Sequence, residues 1–117
     1  MASLSGKVAL VTGCSGERGV GRAVARRLAA DGADLVITSS GVRMALTKPT
    51  SGWRGLEAVA QEVRENGQEC LTAALDIRSA SQIDRVIQMT LEKFGRLDIL
   101  VNNAAAPAGA DRVPVIQ

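Results

Sequence analysis

The feature that most constrains this chain is a short apolar run that empties directly into a glycine-rich loop. Lys7-Val-Ala-Leu-Val-Thr12 is nearly continuous in its hydrophobicity, as a strand buried on both faces of a parallel sheet must be. It ends at Gly13, and a helical pattern begins at Gly21 with Arg-Ala-Val-Ala-Arg-Arg-Leu-Ala-Ala-Asp31. The 3.6-residue period places Val20, Val24 and Leu28 on one stripe and sets Arg22, Arg26 and Arg27 elsewhere. Gly32 supplies the stop, because glycine tolerates the left-handed conformation that closes a helix. A strand, a glycine loop and a helix in that order bring backbone N–H groups and a helix N-terminus to one place, where an anion can bind.

The pattern then repeats. Leu35-Val-Ile-Thr38 reads as a second strand, and Leu56, Val59, Ala60 and Val63 before Gly67 mark a second helix. Residues 40 to 55 between them are rich in turn formers and longer than ordinary strand-to-helix loops of about two to six residues, so the segment reads as an insertion. Cys70 to Leu75 is a third strand, weakened by its alanines. Ser79 and Gln82 fit a capping box for a third helix, which Ile83, Val86, Ile87, Leu91 and Phe94 carry to Gly95. Leu97 to Asn102 is the fourth strand, and Ala104 to Gln117 shows no convincing periodicity.

Strands alternating with helices predict an α/β fold with a doubly wound parallel sheet. With right-handed crossovers and strand order 3-2-1-4, the first two helices cover one face and the third covers the other. That order creates a switch point between strands 1 and 4. A ligand binds beyond the carboxyl ends of such strands, where residues 13 to 21 and 102 to 106 emerge. Within the loop, Gly13 suits the turn, Gly19 lets a pyrophosphate approach the backbone, and Gly21 lets the helix pack closely on the strand.

Composition removes several functional classes. No run approaches the ~18 apolar residues of a membrane span, and the N-terminus lacks the cationic and apolar regions of a secretory signal, which makes the cytoplasm the default location. Fourteen Lys and Arg against twelve Asp and Glu leave a charge of +2, too slight and too scattered for nucleic acid. Cys14 and Cys70 lack metal spacing and read as small buried residues. The sequence contains no Tyr and no His, so two common proton-transfer side chains are absent.

The loop Thr12-Gly-Cys-Ser-Gly-Glu-Arg-Gly-Val-Gly21, Gly32-Ala33, Asp76-Ile77, and the run Phe94-Gly-Arg-Leu-Asp-Ile-Leu-Val-Asn-Asn-Ala104 together resemble the short-chain dehydrogenase/reductase family. That family writes its loop T-G-x-x-x-G-x-G and ends its fourth strand in N-N-A-G. The resemblance implies a partial Rossmann-type sheet over residues 1 to 106, followed by a tail at 107 to 117. It also implies an NAD(P)-dependent oxidoreductase that moves hydride between an alcohol and a ketone. The implied cofactor-binding residues are Gly13, Ser15, Arg18, Gly19, Val20, Gly21, Ser39, Ser40, Arg43, Asp76, Ile77, Asn103 and Ala104. Asp76 would accept from the adenine amino group with Ile77 beside it, Asn103 would meet the ribose region, and Asn102 would brace a neighbouring strand.

Three departures stand out. Five residues, Cys14 to Arg18, separate Gly13 from Gly19 where the family has three. Ala105 replaces the last glycine of N-N-A-G. The family's catalytic serine and Y-x-x-x-K segment belong after the last residue here, Gln117, so no catalytic residue is assigned and the chain alone is expected to be inactive. Ser79 and Lys93, on the third helix, read as structural.

Where the family selects its nicotinamide cofactor, this sequence has Ser39-Ser-Gly-Val-Arg43. An acid there would bind the ribose hydroxyls of NAD, whereas hydroxyls and a cation suit the 2′-phosphate of NADP. NADP is therefore preferred and NAD remains open, with Arg18, Lys48 and Arg54 as further sources of positive charge. Trp53, in the insertion, is read as loop packing before a lid over the adenosine. Three other readings stand beside the enzyme: a truncated nucleotide-binding module without chemistry, an interaction partner that self-associates or docks through the strand 4 edge, and a methyltransferase. The last would want an acid near Ser39.

Overall fold

A computed structural model describes residues 3–40 and 54–104. Four strands and three helices alternate along the chain. They are β1 Val8–Val11, α1 Val20–Ala30, β2 Asp34–Ser39, α2 Leu56–Glu65, β3 Cys70–Ala74, α3 Ala80–Phe94 and β4 Ile99–Val101. The strands form one parallel sheet in the order β3-β2-β1-β4, as expected.

Strand alternation divides the core in two. Ala9 and Val11 of β1 lie opposite Leu35 and Ile37 of β2, and these four join Ala25 and Ala29 of α1 and Leu56, Val59, Ala60 and Val63 of α2. The intervening Leu10 and Val36 point the other way, toward Val86 of α3 and Leu75. The first two helices thus share one face and the third takes the other.

One detail of α1 departs from the expected stripe. Val20 is 66% exposed, and the buried line runs through Gly21, Ala25 and Ala29, with Val24 and Leu28 flanking it. Helical spacing is kept, but the inward edge is rotated onto the smallest residues because α1 lies so close to the glycine loop. The helix ends as anticipated: Gly32 has φ +102°, its N–H donates to the Ala29 carbonyl, and the Ala33 N–H donates to that of Leu28. This pair of bonds is the Schellman closure.

The helix α3 begins at Ser79, whose Oγ accepts from the Gln82 N–H at 3.3 Å. The reciprocal half of the expected capping box is redirected, since Gln82 Oε1 accepts from the Asp76 N–H at 2.8 Å. Lys93 lies 3.7 Å from Glu69 and 5.4 Å from the Phe94 ring centre, on the structural side of the molecule. The fourth strand is shorter than expected. Just before it, the Asp98 N–H donates to the Val8 carbonyl at 2.9 Å, while its side-chain Oδ2 accepts the Val8 N–H at 2.9 Å and pairs with Arg96, whose guanidinium holds the carboxyl below the usual range. Cys14 and Cys70 are free and buried, and burial pushes both thiols up to about 12.

Candidate functional site

The site lies where β1 and β4 adjoin and their chains depart. Thr12, just beyond β1, fastens the two departures together. Its Oγ1 accepts from the Asn103 N–H at 3.0 Å and the Ala104 N–H at 2.9 Å, and donates to the Val101 carbonyl at 3.4 Å. One hydroxyl offers one donor and two acceptor positions, and all three are used. Asn103 adds a side-chain tie, donating from Nδ2 to the Gly13 carbonyl at 2.9 Å. The bracing expected of Asn102 therefore belongs to Asn103, while Asn102 is exposed.

This fastening explains two glycines in steric terms. Gly13 has φ +72°, and a Cβ there would lie 2.9 Å from the Ala104 Cα. At Gly21 a Cβ would meet the Gly13 carbonyl oxygen at 2.5 Å and Asn103 Nδ2 at 2.9 Å. Neither position admits a side chain without moving backbone. Gly19 differs, because the three nearest atoms to its Cβ would be Gly16 atoms, the closest at 3.5 Å, and its φ of −80° is open to any residue. Packing among the described residues does not require glycine at 19.

The lengthened part of the loop is a turn. The Gly19 N–H donates to the Gly16 carbonyl at 3.3 Å, leaving Glu17 and Arg18 exposed at its tip. Cys14 is fixed behind it, its N–H donating to the Thr38 carbonyl at 3.0 Å and its thiol to that of Val11 at 3.4 Å. Ser15 is buried.

The helix α1 that follows has an uncapped start. Its N-cap, Gly19, has no side chain to accept from the first turn, and that turn contains no acidic residue. By contrast, α3 has the Ser79 cap and α2 has Glu57 in its first turn. The positive end of the α1 dipole is thus not offset by a capping side chain or a first-turn acid, an arrangement suited to an anion.

At the carboxyl end of β2, Thr38 and Ser39 are 1% and 2% exposed, and neither hydroxyl has a hydrogen-bond partner among the described residues. A buried hydroxyl left unpaired costs free energy, which a polar ligand can recover. Ser40 is partly buried; Arg43, Lys48, Trp53 and Ala105 lie outside the described residues. Across the sheet, Asp76 accepts from the Arg78 backbone N–H at 2.9 Å and from its guanidinium at 3.1 and 3.3 Å, and these bonds hold its carboxyl below the usual range. Ile77 packs beside the α3 core.

Close contacts bring together Gly13, Gly21, Asn103 and Ala104, and Ser15, Arg18, Gly19 and Val20 lie along the loop and helix start between the two glycines. Ser39 and Asp76 stand at the ends of β2 and β3. The sequence reading missed Thr12 and Arg22. Thr12 was legible as the first letter of the loop pattern, whereas Arg22 was placed only off the apolar stripe of its helix.

An open parallel sheet with a glycine loop at its switch point defines a doubly wound nucleotide-fold protein. The model of the short chain dehydrogenase family matches residues 7–115, and the chain belongs to that family of oxidoreductases, whose members bind a nicotinamide dinucleotide. It is 38% identical over 104 residues to a 3-oxoacyl-[acyl-carrier-protein] reductase of Synechocystis, covering 89% of this chain and 37% of the reductase. A short chain dehydrogenase of Mycobacterium thermoresistibile superposes with a TM-score of 0.76 at 35% identity, over 97% of this chain and 39% of that one. A metagenomic short-chain oxidoreductase in complex with NADP gives a TM-score of 0.72 at 38% identity, over 89% and 41%. The 117 residues thus span well under half the length of these relatives.

Proposed function

We propose that residues 1–106 bind a nicotinamide dinucleotide with its pyrophosphate over the N-terminus of α1 and its adenosine toward β2 and β3, and that residues 107–117 form a tail outside this unit. The start of α1 beside Gly19 carries the reading: it has no side-chain cap and no acid in its first turn, and the nearest described atoms to a Cβ at Gly19 lie 3.5 Å or more away. Gly13, Ser15, Val20 and Gly21 line the approach, Arg18 adds positive charge, and Asn103 and Ala104 border the nicotinamide-side ribose. Asp76 retains acceptor capacity for the adenine amino group despite Arg78, and Ile77 supplies an apolar wall.

NADP is the preferred form and NAD the weaker one. Ser39 and Ser40 stand where an acid would favour NAD, the Ser39 hydroxyl is buried without a partner among the described residues, and Arg43 follows in sequence. The NADP-bound relative supports the same choice. When bound, the cofactor supplies a hydride for an alcohol or ketone. The chain's own groups bind and orient it; with no Tyr or His they provide no proton-transfer group of the family's kind, so the 117 residues alone are inactive. Titration calorimetry tests the reading: NADP should bind more tightly than NAD, and Arg43→Ala should narrow the difference. Tighter binding of NAD, or a ratio unmoved by the substitution, contradicts it.

A second reading, of an interaction module, rests on β4. Among the described residues β4 is an edge strand, and Leu100 on it is 56% exposed. An apolar edge without a charge or proline invites another strand, so self-association or docking there is proposed alongside dinucleotide binding. The absence of any helix among the described residues long and apolar enough to cross a membrane fits a cytoplasmic protein that keeps its two thiols reduced.

A further inference from the structure

The lengthened loop must place its surplus residues without disturbing Gly13 or Gly21, which close contacts fix. It does so in the Gly16–Gly19 turn, whose closing bond of 3.3 Å is long for an exposed turn. A second support arrives from α1. Arg22 reaches back to donate from Nη1 to the Glu17 carbonyl at 2.7 Å. Its opposite edge grips Glu62 of α2, with Nε to Oε1 at 2.9 Å and Nη2 to Oε2 at 2.6 Å.

This is a two-sided arrangement that only a guanidinium can make. The carboxylate fixes the plane of the fork, and the fork fixes the carbonyl. Glu62 is itself well placed to act as the anchor, because its neighbour Val63 is fully buried in the α1–α2 face and both side chains of the pair are about three-quarters covered, at 25% and 23% exposure.

We infer that Arg22, oriented by Glu62, is a positioning residue that sets the shape of the lengthened glycine loop and so fixes where Arg18 and Gly19 meet the ligand. The inference rests on the dinucleotide reading only for its ligand; the shaping of the loop is a property of the free protein. Arg22 acts through the turn, since its Nε–Nη2 edge is already committed to a carboxylate. Without the clamp, the turn must be ordered at the moment of binding, at the expense of affinity.

Arg22→Lys separates this role from a general structural one. A lysine keeps a charge opposite Glu62, so melting should stay near that of the parent chain, but a point donor does not also span to Glu17. In ligand-free protein, amide exchange at Gly19 should quicken by about tenfold while the rest of α1 is unchanged. The dissociation constant for NADP should rise by a similar factor. Glu62→Gln, which leaves Arg22 in place but loosens its orientation, should move both readouts in the same direction by less, and keeps the inference testable if the lysine variant folds poorly. If the parent chain binds no dinucleotide yet exchange responds as stated, the dinucleotide reading falls and the clamp stands. If the parent binds NADP and Arg22→Lys alters neither Gly19 exchange nor affinity, or quickens exchange evenly along α1, the clamp is overturned.

Discussion

The two faces of the sheet are built from the same four strands and are finished to different degrees. On the α1–α2 face, Leu35, Ile37, Val59 and Val63 are wholly buried, and the helices pack on each other as well as on the sheet. On the α3 face, Leu10, Val36, Leu75 and Val86 form a smaller core, and Ile87, Leu91 and Leu100 remain 36%, 43% and 56% exposed. The strands point apolar residues both ways, so the difference lies in how many helices cover each side. The more fully covered face carries α1, which opens directly from the glycine loop, and the partly covered face has apolar surface to offer a partner.

Substitutions should register this contrast. Leu35→Ala, on the completed face, should cost about 2–5 kcal/mol of unfolding free energy, measured by urea titration. Gly21→Ala, at the seam between α1 and β1, should cost about 1–3 kcal/mol, since its Cβ would lie 2.5 Å from the Gly13 carbonyl oxygen. On the α3 face, Leu91→Ser or Leu100→Lys should change stability by no more than about 0.5 kcal/mol. The same two changes should weaken any self-association seen by sedimentation across a concentration series. A cost for Leu100→Lys as large as that for Leu35→Ala would erase the contrast.

Smaller effects concern the charges and thiols of the completed face. Arg22 holds the Glu62 carboxyl below its ordinary range, so the stability this gives is present at neutral pH and is lost as pH falls through the lowered value. Glu62→Gln should therefore flatten the acid limb of melting temperature against pH. Cys14 and Cys70, pushed up to about 12 by burial, should resist alkylation in the native protein at neutral pH and react once it is unfolded.

Much of this architecture was legible in the sequence because periodicity reports burial. Leu56, Val59, Ala60 and Val63 were read as the inner stripe of their helix and are its four buried residues. The stripe of α1 was misread at Val20, because an apolar pattern does not reveal that a helix lies close enough to a loop to favour Gly21, Ala25 and Ala29 as its innermost line. Strand order 3-2-1-4 entered as a condition of the doubly wound fold, and crossover handedness then assigned the helices to their faces. At the site, the residue types were visible but their pairings were not. Asn103 braces Gly13, and Arg22 bridges partners 5 and 40 residues away, one of them a backbone carbonyl. Such contacts depend on how elements pack, and no spacing rule encodes them.

The central claim is that the loop and the start of α1 are shaped for a dinucleotide rather than for the protein's own packing, and Gly19 separates these alternatives. Its Cβ position is open and its φ is ordinary, so Gly19→Ala should melt within a degree or two of the parent chain, consistent with the few tenths of a kcal/mol expected for an N-cap change. Paired calorimetric titrations of NADP into the parent and the Gly19→Ala chain are the direct measurement. The account predicts binding by the parent and at least about tenfold weaker binding by the variant, as the methyl group occupies the space a pyrophosphate needs. Equal affinity in two equally stable proteins would contradict it.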